Sequence, residues 1–154
     1  MSITIRRAAV ICLATMVGLS AAPAAHAQAG KTYKARLSPM PVDGPPMMAT
    51  IAGSGTVTAV LTGTKLTITG TFGGLKSPAT VVKIHRAIKG VRGPAVLDLP
   101  APTSALEGQI TGSVDLTPSQ VDDLGKERLY LQLDSDKAAD GNLWGWLLPQ
   151  ENKR

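Results

Sequence analysis

Residues 54–62 (SGTVTAVLT) and 65–72 (KLTITGTF) decide the fold, because apolar and polar side chains alternate along both stretches. In the second stretch, Leu66 and Ile68 fall on one face, and the threonines fall on the other. A period of two is typical of a β-strand with one buried face. Gly63 lies between the stretches and predicts a tight hairpin connection.

The same alternation continues through most of the chain. Further candidate strands lie at residues 33–37, 79–88, 95–99, 107–116, 128–134 and 142–148. Turn-forming residues separate these stretches. About eight short strands with such spacing indicate an all-β fold, a Greek-key antiparallel sandwich or barrel with one short connecting helix.

That helix is predicted to begin at Thr117-Pro118-Ser119-Gln120, which is a capping box with proline at the first helical position. Gly125 is expected to provide the left-handed exit. Residues 39–48 (PMPVDGPPMM) are expected to form an extended loop, because their four prolines remove ladder donors. Asp140-Gly141 predicts the turn between the last two strands.

Residues 1–27 are predicted to be a signal peptide. Arg6 and Arg7 precede an apolar run at residues 8–20, and Ala25-His26-Ala27 fits a cleavage site before Gln28. The alternative is an uncleaved membrane anchor, which the shortness of the run disfavours. We therefore expect a periplasmic or secreted single domain at residues 28–154, without a transmembrane span after cleavage.

The composition and charge of the chain exclude some classes of protein and disfavour others. The 154 residues suit one domain, and the lone cysteine, Cys12, lies in the predicted leader, so a disulfide framework is excluded. Charge is uneven: residues 28–94 carry nine Lys/Arg and one acid, whereas residues 95–154 carry five Lys/Arg and ten acids. The two parts are expected to attract each other. Export and the scarcity of aromatic residues argue against nucleic acid.

Three stretches together resemble the CHRD (chordin-type) domain. They are residues 70–94 (GTFGGLKSPATVVKIHRAIKGVRGP), residues 129–134 (LYLQLD) and residues 141–147 (GNLWGWL). The resemblance implies an all-β module, similar in outline to copper–zinc superoxide dismutase, that serves for binding or structure without catalysis. The similarity to the dismutase concerns the fold alone.

The chain departs from the family pattern at three positions. Lys83-Ile84-His85 stands where the family commonly has His-x-His, Asp134 stands where a later His is frequent, and Trp144 stands where an Arg precedes the last Gly. Lys83 and His85 share a strand face. If the strands are neighbours, Lys83 and Asp134 are expected to form an ion pair.

The candidate binding residues are the basic residues and the histidine within residues 83–92, the pair Trp144 and Trp146, and two residues of the LYLQLD stretch, Tyr130 and Asp134. They are Lys83, His85, Arg86, Lys89, Arg92, Tyr130, Asp134, Trp144 and Trp146. The cations within residues 83–92 predict contact with an anionic partner, or are neutralised by the acidic C-terminal part. Trp144 and Trp146 predict either a covered strand, which we favour, or an exposed docking stripe.

A metal site is the competing hypothesis, as a periplasmic copper- or zinc-binding protein. Its candidate ligands are His85, Asp134, Met40, Met47 and Met48. Lysine offers no lone pair, so this set is short of ligands. Asp134, Asp136 and Asp140 lack the spacing and the closing Glu of an EF-hand.

No G-x-S-x-G nucleophile pattern occurs, so acyl-transfer chemistry is not expected. The predicted function is that of an exported, non-catalytic binding module without a cofactor. Its predicted partner is another envelope or extracellular protein or an anionic surface.

Overall fold

The computed structural model describes residues 30–41, 44–100 and 104–150. The predicted signal peptide lies outside these residues. In the described part there are nine strands and two helices: β1 (Lys31–Pro39), α1 (Pro45–Thr50), β2 (Ser54–Thr62), β3 (Lys65–Gly73), β4 (Ala79–Arg86), β5 (Ala95–Leu99), β6 (Gly108–Asp115), α2 (Pro118–Gly125), β7 (Leu129–Ser135), β8 (Ala138–Trp146) and β9 (Leu148–Pro149).

The strands form one antiparallel sheet that curls into a nearly closed barrel. Its order is β5-β4-β7-β8-β1-β2-β3-β6, with β9 added beside β1, and β5 approaches β6 across the remaining gap. The connections from β3 to β4 and from β6 to β7 join strands that are not neighbours, which produces the Greek-key pattern. The predicted all-β Greek-key class is confirmed.

The barrel interior holds the main hydrophobic core. Alternate side chains of each strand point inward, so that Leu66, Ile68, Ile84, Leu131 and Leu143 are completely buried. The threonines between the buried residues of β3 face outward and are exposed. Alternation with a period of two therefore places the core as the sequence predicted.

Helix α2 supplies the crossover from β6 to β7, and its predicted start is confirmed. The Thr117 hydroxyl accepts from the Gln120 amide, and the Gln120 side chain accepts from the Thr117 amide. The predicted exit at Gly125 is wrong, because Gly125 is still helical and Glu127 adopts the positive φ of 58°. Neither helix in the described ranges is long and apolar enough to cross a membrane.

Two further local predictions are wrong. Residues 45–50 form the short helix α1 inside the segment expected to be extended, because Pro45 and Pro46 occupy the first helical positions, where an absent N–H costs nothing. The turn between β7 and β8 lies at Asp136-Lys137, and Asp140-Gly141 lies within β8. The strand register, fixed by inward leucines, overrides the local turn signal.

Candidate functional site

The outer face of β4, β7 and β8 brings the candidate residues together in two rows across the strands. In one row, His85 lies opposite Tyr130, and Tyr130 lies opposite Trp146. The second row consists of Lys83, Gln132 and Trp144. Residues opposite one another in antiparallel strands point to the same side of the sheet. The fold therefore collects on one surface side chains that are distant in sequence.

Four rings of these rows pack against one another on the outside of the barrel. Tyr130 stacks on His85 with centroids 5.1 Å apart, and lies 4.8 Å from Trp146 and 5.8 Å from Trp144. Met40 packs beside them. We name these five residues the outer aromatic cluster.

The outer aromatic cluster is a second, smaller core. Tyr130 is completely buried, Trp144 is 8% exposed, and Trp146 is half-buried. The preferred prediction of a covered strand is therefore confirmed for Trp144, and the alternative of an exposed tryptophan stripe is wrong. Both faces of β7 are buried along its whole length, one against the barrel interior and the other beneath this cluster.

The loop between β4 and β5 closes over the cluster and is attached through Gly93. The His85 Nδ1–H donates to the Gly93 carbonyl over 2.8 Å, and the Gly93 amide donates to the Tyr130 hydroxyl over 3.1 Å. A side chain at Gly93 would collide with the Arg86 carbonyl. Glycine at this position therefore permits the close approach of the loop to the strands.

The bond to Gly93 fixes the state of His85 when the ring is neutral. A carbonyl only accepts, so Nδ1 carries the proton and Nε2 presents a lone pair. The Nε2 atom is buried and has no hydrogen-bond partner among the described residues. His85 thus offers an unused acceptor beside the groove described below.

A bulge in β8 shapes the other side of this surface. The β7–β8 register shifts between the Leu133–Leu143 pair and the Ser135–Ala138 pair. In this interval, four residues of β8 (139–142) oppose a single residue of β7, Asp134. Gly141 adopts φ 121°, and a side chain there would collide with the Met40 sulfur. The bulge brings Asp140 to the outer face, as bulges at sheet surfaces commonly re-aim side chains.

Between the loop and the bulge lies a groove of about 340 Å³, which we name the polar groove. It is lined by Lys83, His85, Arg92, Gly93, Tyr130, Gln132, Asp134, Ala139 and Asp140. The cations come from β4 and its loop, whereas the carboxylates come from β7 and β8. The groove thus has a cationic wall and an anionic wall on a floor of buried side chains.

Asp134 is the buried acid of the groove. Burial raises the pKa of its carboxyl, and this effect outweighs the opposing effects of the Gln132 hydrogen bond and of the Lys83 and His85 charges. Gln132 Nε2 donates to Asp134 Oδ1 over 2.8 Å. The expected Lys83–Asp134 ion pair is not among the four close ion pairs of the described residues, because the register places Lys83 opposite Gln132.

The basic segment divides into two parts. Arg86 pairs with the buried Asp123 at 2.7 Å, and Lys89 pairs with Glu127 at 3.0 Å. The predicted attraction between the basic and acidic parts of the chain accounts for these two cations. Lys83 and Arg92 instead line the polar groove.

The fold separates two of the hypothetical metal ligands from the others. Met40 is buried in the outer aromatic cluster with His85, whereas Met47 and Met48 lie on α1, where Met48 is 62% exposed. Residues 30–41, 44–100 and 104–150 contain no group of three or more His, Cys, Asp and Glu that could hold a metal ion. One imidazole and one carboxylate make a poor donor set for copper or zinc.

Sequence reasoning missed Gln132, Gly93 and Asp140 as parts of this surface. Gln132 lies two residues from both Tyr130 and Asp134, so the strand period already placed it on their face. Gly93 and Asp140 gave no such signal, since a loop contact and a bulge bring them there.

Two other depressions lie on the opposite side of the barrel. They measure about 690 and 390 Å³ and are lined mainly by threonines and glycines of β2 and β3. Arg36 is the sole charged residue of their described linings. We favour the smaller polar groove because charged groups and a carboxyl of raised pKa converge there.

These features define a class of protein, a Greek-key β-barrel module with a covered aromatic surface and an adjoining polar groove. The sequence model of the CHRD domain family matches residues 33–147, so the chain belongs to this family. This is a family of binding and structural domains and not a catalytic one. No curated protein and no solved structure matches the chain significantly.

Proposed function

We propose that this chain is an exported, non-catalytic binding module that holds a polar ligand in the polar groove. The observation that carries the proposal is the convergence of opposite charges over a floor of buried side chains. Lys83 and Arg92 stand on one side, Asp134 and Asp140 stand on the other, and buried strands support them. Preorganised side chains lower the entropic cost of binding.

The charge pattern indicates the chemistry of the ligand. A molecule with both anionic and cationic groups, such as a terminal amino-acid unit of an envelope or extracellular polymer, complements both walls. The carboxylates of Asp134 and Asp140 accept hydrogen bonds, and Lys83 and Arg92 donate them. Charge-assisted hydrogen bonds of this kind are stronger than neutral ones.

The side chains of the groove suit binding better than catalysis. Among the described residues, its lining contains no Ser, Thr or Cys to act as a nucleophile beside His85. The His85 Nδ1–H is engaged by the Gly93 carbonyl. This bond holds the ring in place beside the groove, and the family is not a catalytic one.

Tryptophan fluorescence provides the test, because Trp144 and Trp146 pack against Tyr130 in the floor of the groove. The protein is titrated with free amino acids, with amino sugars and with soluble peptidoglycan fragments. We expect saturable binding of at least one zwitterionic ligand, weakened about tenfold by Lys83→Met or Asp134→Asn through loss of a charge-assisted bond.

The matched controls are Lys65→Met and Asp115→Asn. Lys65 and Asp115 lie opposite each other on β3 and β6, and both are exposed. These variants should bind as the wild type does. Failure of the panel to bind, or equal losses in both pairs of variants, would contradict the proposal. Stoichiometric copper or zinc in protein purified without a His tag would favour the metal hypothesis instead.

A further inference from the structure

The loop between β4 and β5 ends in a turn with two exposed aliphatic side chains. The Val91 amide donates to the Ile88 carbonyl over 3.2 Å, and Gly90 has φ 85°. Ile88 is 63% exposed and Val91 is 48% exposed. We name residues 88–91 the loop tip. It projects apolar groups into solvent, whereas Ala87 and Gly93 on either side of it are half-buried.

The loop tip has a fixed base. The Trp146 Nε1–H donates to the Ala87 carbonyl over 3.4 Å, and the Ala87 amide donates to the Arg128 carbonyl over 2.9 Å. Gly93 attaches the other end of the loop to Tyr130. Both arms of the loop are therefore held, so presenting the exposed aliphatic residues requires little ordering on binding.

Cations surround the loop tip in excess over acids. The cations are Arg86, Lys89, Arg92 and Arg128. Asp123 lies 2.7 Å from Arg86 and 3.9 Å from Arg128, and Glu127 lies 3.0 Å from Lys89. Two carboxylates thus pair with three of the four cations, and these six groups leave a positive charge of two beside the exposed apolar groups.

We propose that the loop tip inserts into the surface of an anionic lipid layer. Aliphatic groups at a convex turn fit a fluid, deformable surface, whereas a protein partner would need a matching pocket and commonly engages aromatic anchors. Cations behind the apolar groups lie at the depth of the phosphates. Arg92 belongs to both surfaces, but the tip needs no ligand in the polar groove.

Sedimentation with vesicles tests the inference. Binding to vesicles of equal parts phosphatidylglycerol and phosphatidylcholine is compared with binding to vesicles of pure phosphatidylcholine. The wild type and all variants are prepared with the same N-terminal residue. We expect binding to the anionic vesicles alone, and a partition weaker by at least about fivefold for the double variant Ile88→Asn, Val91→Asn, because two aliphatic groups that are partly buried in the lipid surface are removed. Raising the salt concentration should also weaken binding.

The chain offers a closely matched control. Met48 is 62% exposed and Leu106 is 49% exposed, so the double variant Met48→Asn, Leu106→Asn removes similar apolar exposure elsewhere. It should bind vesicles as the wild type does, and circular dichroism should show both double variants folded. Equal binding by the two double variants overturns the inference, as does an absence of binding to anionic vesicles. Loss of ligand binding in the polar groove, with vesicle binding intact, would contradict only the proposed function.

Discussion

The barrel has two outer faces that are built from similar strands, but one is exposed to water and the other is covered by side chains. On β2, β3 and β6 the outward residues are mostly threonines that face water, and we name this surface the threonine face. On β4, β7 and β8 the outward residues form the outer aromatic cluster and the polar groove. The inward residues of both halves share one core.

The comparison shows which contacts a sheet needs when its outer face is covered as well as its inner face. A face in water needs only the period of two and cross-strand pairs, such as Thr58 opposite Thr69. A covered face needs specific contacts between distant segments, which Met40, Gly93 and the β8 bulge provide. Those contacts also hold polar groups in fixed positions, and a binding site requires such fixed positions.

The largest expected effect comes from emptying the outer aromatic cluster. Trp144→Ala removes a side chain that is 8% exposed and contacts Tyr130 and Trp146. We expect a loss of about 3–5 kcal/mol in the free energy of unfolding, measured with urea. Thr69→Ala on the threonine face should cost about 1 kcal/mol or less. Similar losses at the two sites would abolish the distinction between the faces.

The loop attachment can be broken at one glycine. A methyl group in Gly93→Ala would collide with the Arg86 carbonyl, a backbone atom that cannot turn aside. We expect a cost of about 2–3 kcal/mol, as for other overpacked sites, and changed tryptophan emission as the loop shifts.

The matched glycine is Gly125, the last residue of α2. A side chain there meets nothing within 4 Å. Gly125→Ala should leave stability unchanged or raise it by up to about 1 kcal/mol, because alanine favours helix. Tolerance of Gly93→Ala equal to that of Gly125→Ala would show that the loop is not clamped.

A smaller effect is expected from the hydroxyl of Tyr130. Tyr130→Phe leaves the Gly93 amide without its acceptor, which should cost about 1–2 kcal/mol in urea unfolding. The control is Tyr33→Phe, because the Tyr33 hydroxyl has no hydrogen bond among the described residues. That variant should stay within about 0.5 kcal/mol of the wild type. Equal effects would show that burial, and not the bond to the loop, matters at Tyr130.

The threonine face was largely predictable from the sequence, and the covered face only in part. The bounds of β2 and the inward side of β3 follow from alternation, because local hydrophobicity alone places those residues. In β7 the same rule correctly puts Tyr130, Gln132 and Asp134 on one side. It cannot reveal that this side is buried, since the cover comes from a loop about forty residues earlier in the chain.

Competition between local and distant signals explains the wrong turn. Asp140-Gly141 resembles a hairpin turn, and a one-residue slip would move inward leucines to the outside. The Leu133–Leu143 pair keeps its place in the core, the turn falls at Asp136-Lys137, and the surplus residues form the bulge. Part of the polar groove therefore arises from a register constraint that no local pattern displays.

The smallest predicted effect concerns the acid of the covered face. Burial raises the pKa of Asp134 above its ordinary value of 3.8, so the folded protein holds that proton more tightly than the unfolded chain does. Below the ordinary value both states are protonated and no penalty exists. As the pH rises through the raised pKa, the folded state must hold a buried carboxylate, and the free energy of unfolding falls.

The variant Asp134→Asn tests this, because its side chain cannot ionise. The stability difference between this variant and the wild type should shift in favour of the variant between pH 4 and pH 7, measured by urea unfolding at each pH. A difference that is independent of pH would mean that Asp134 is as well solvated as the residues of the threonine face, and that the covered face does not bury its charge.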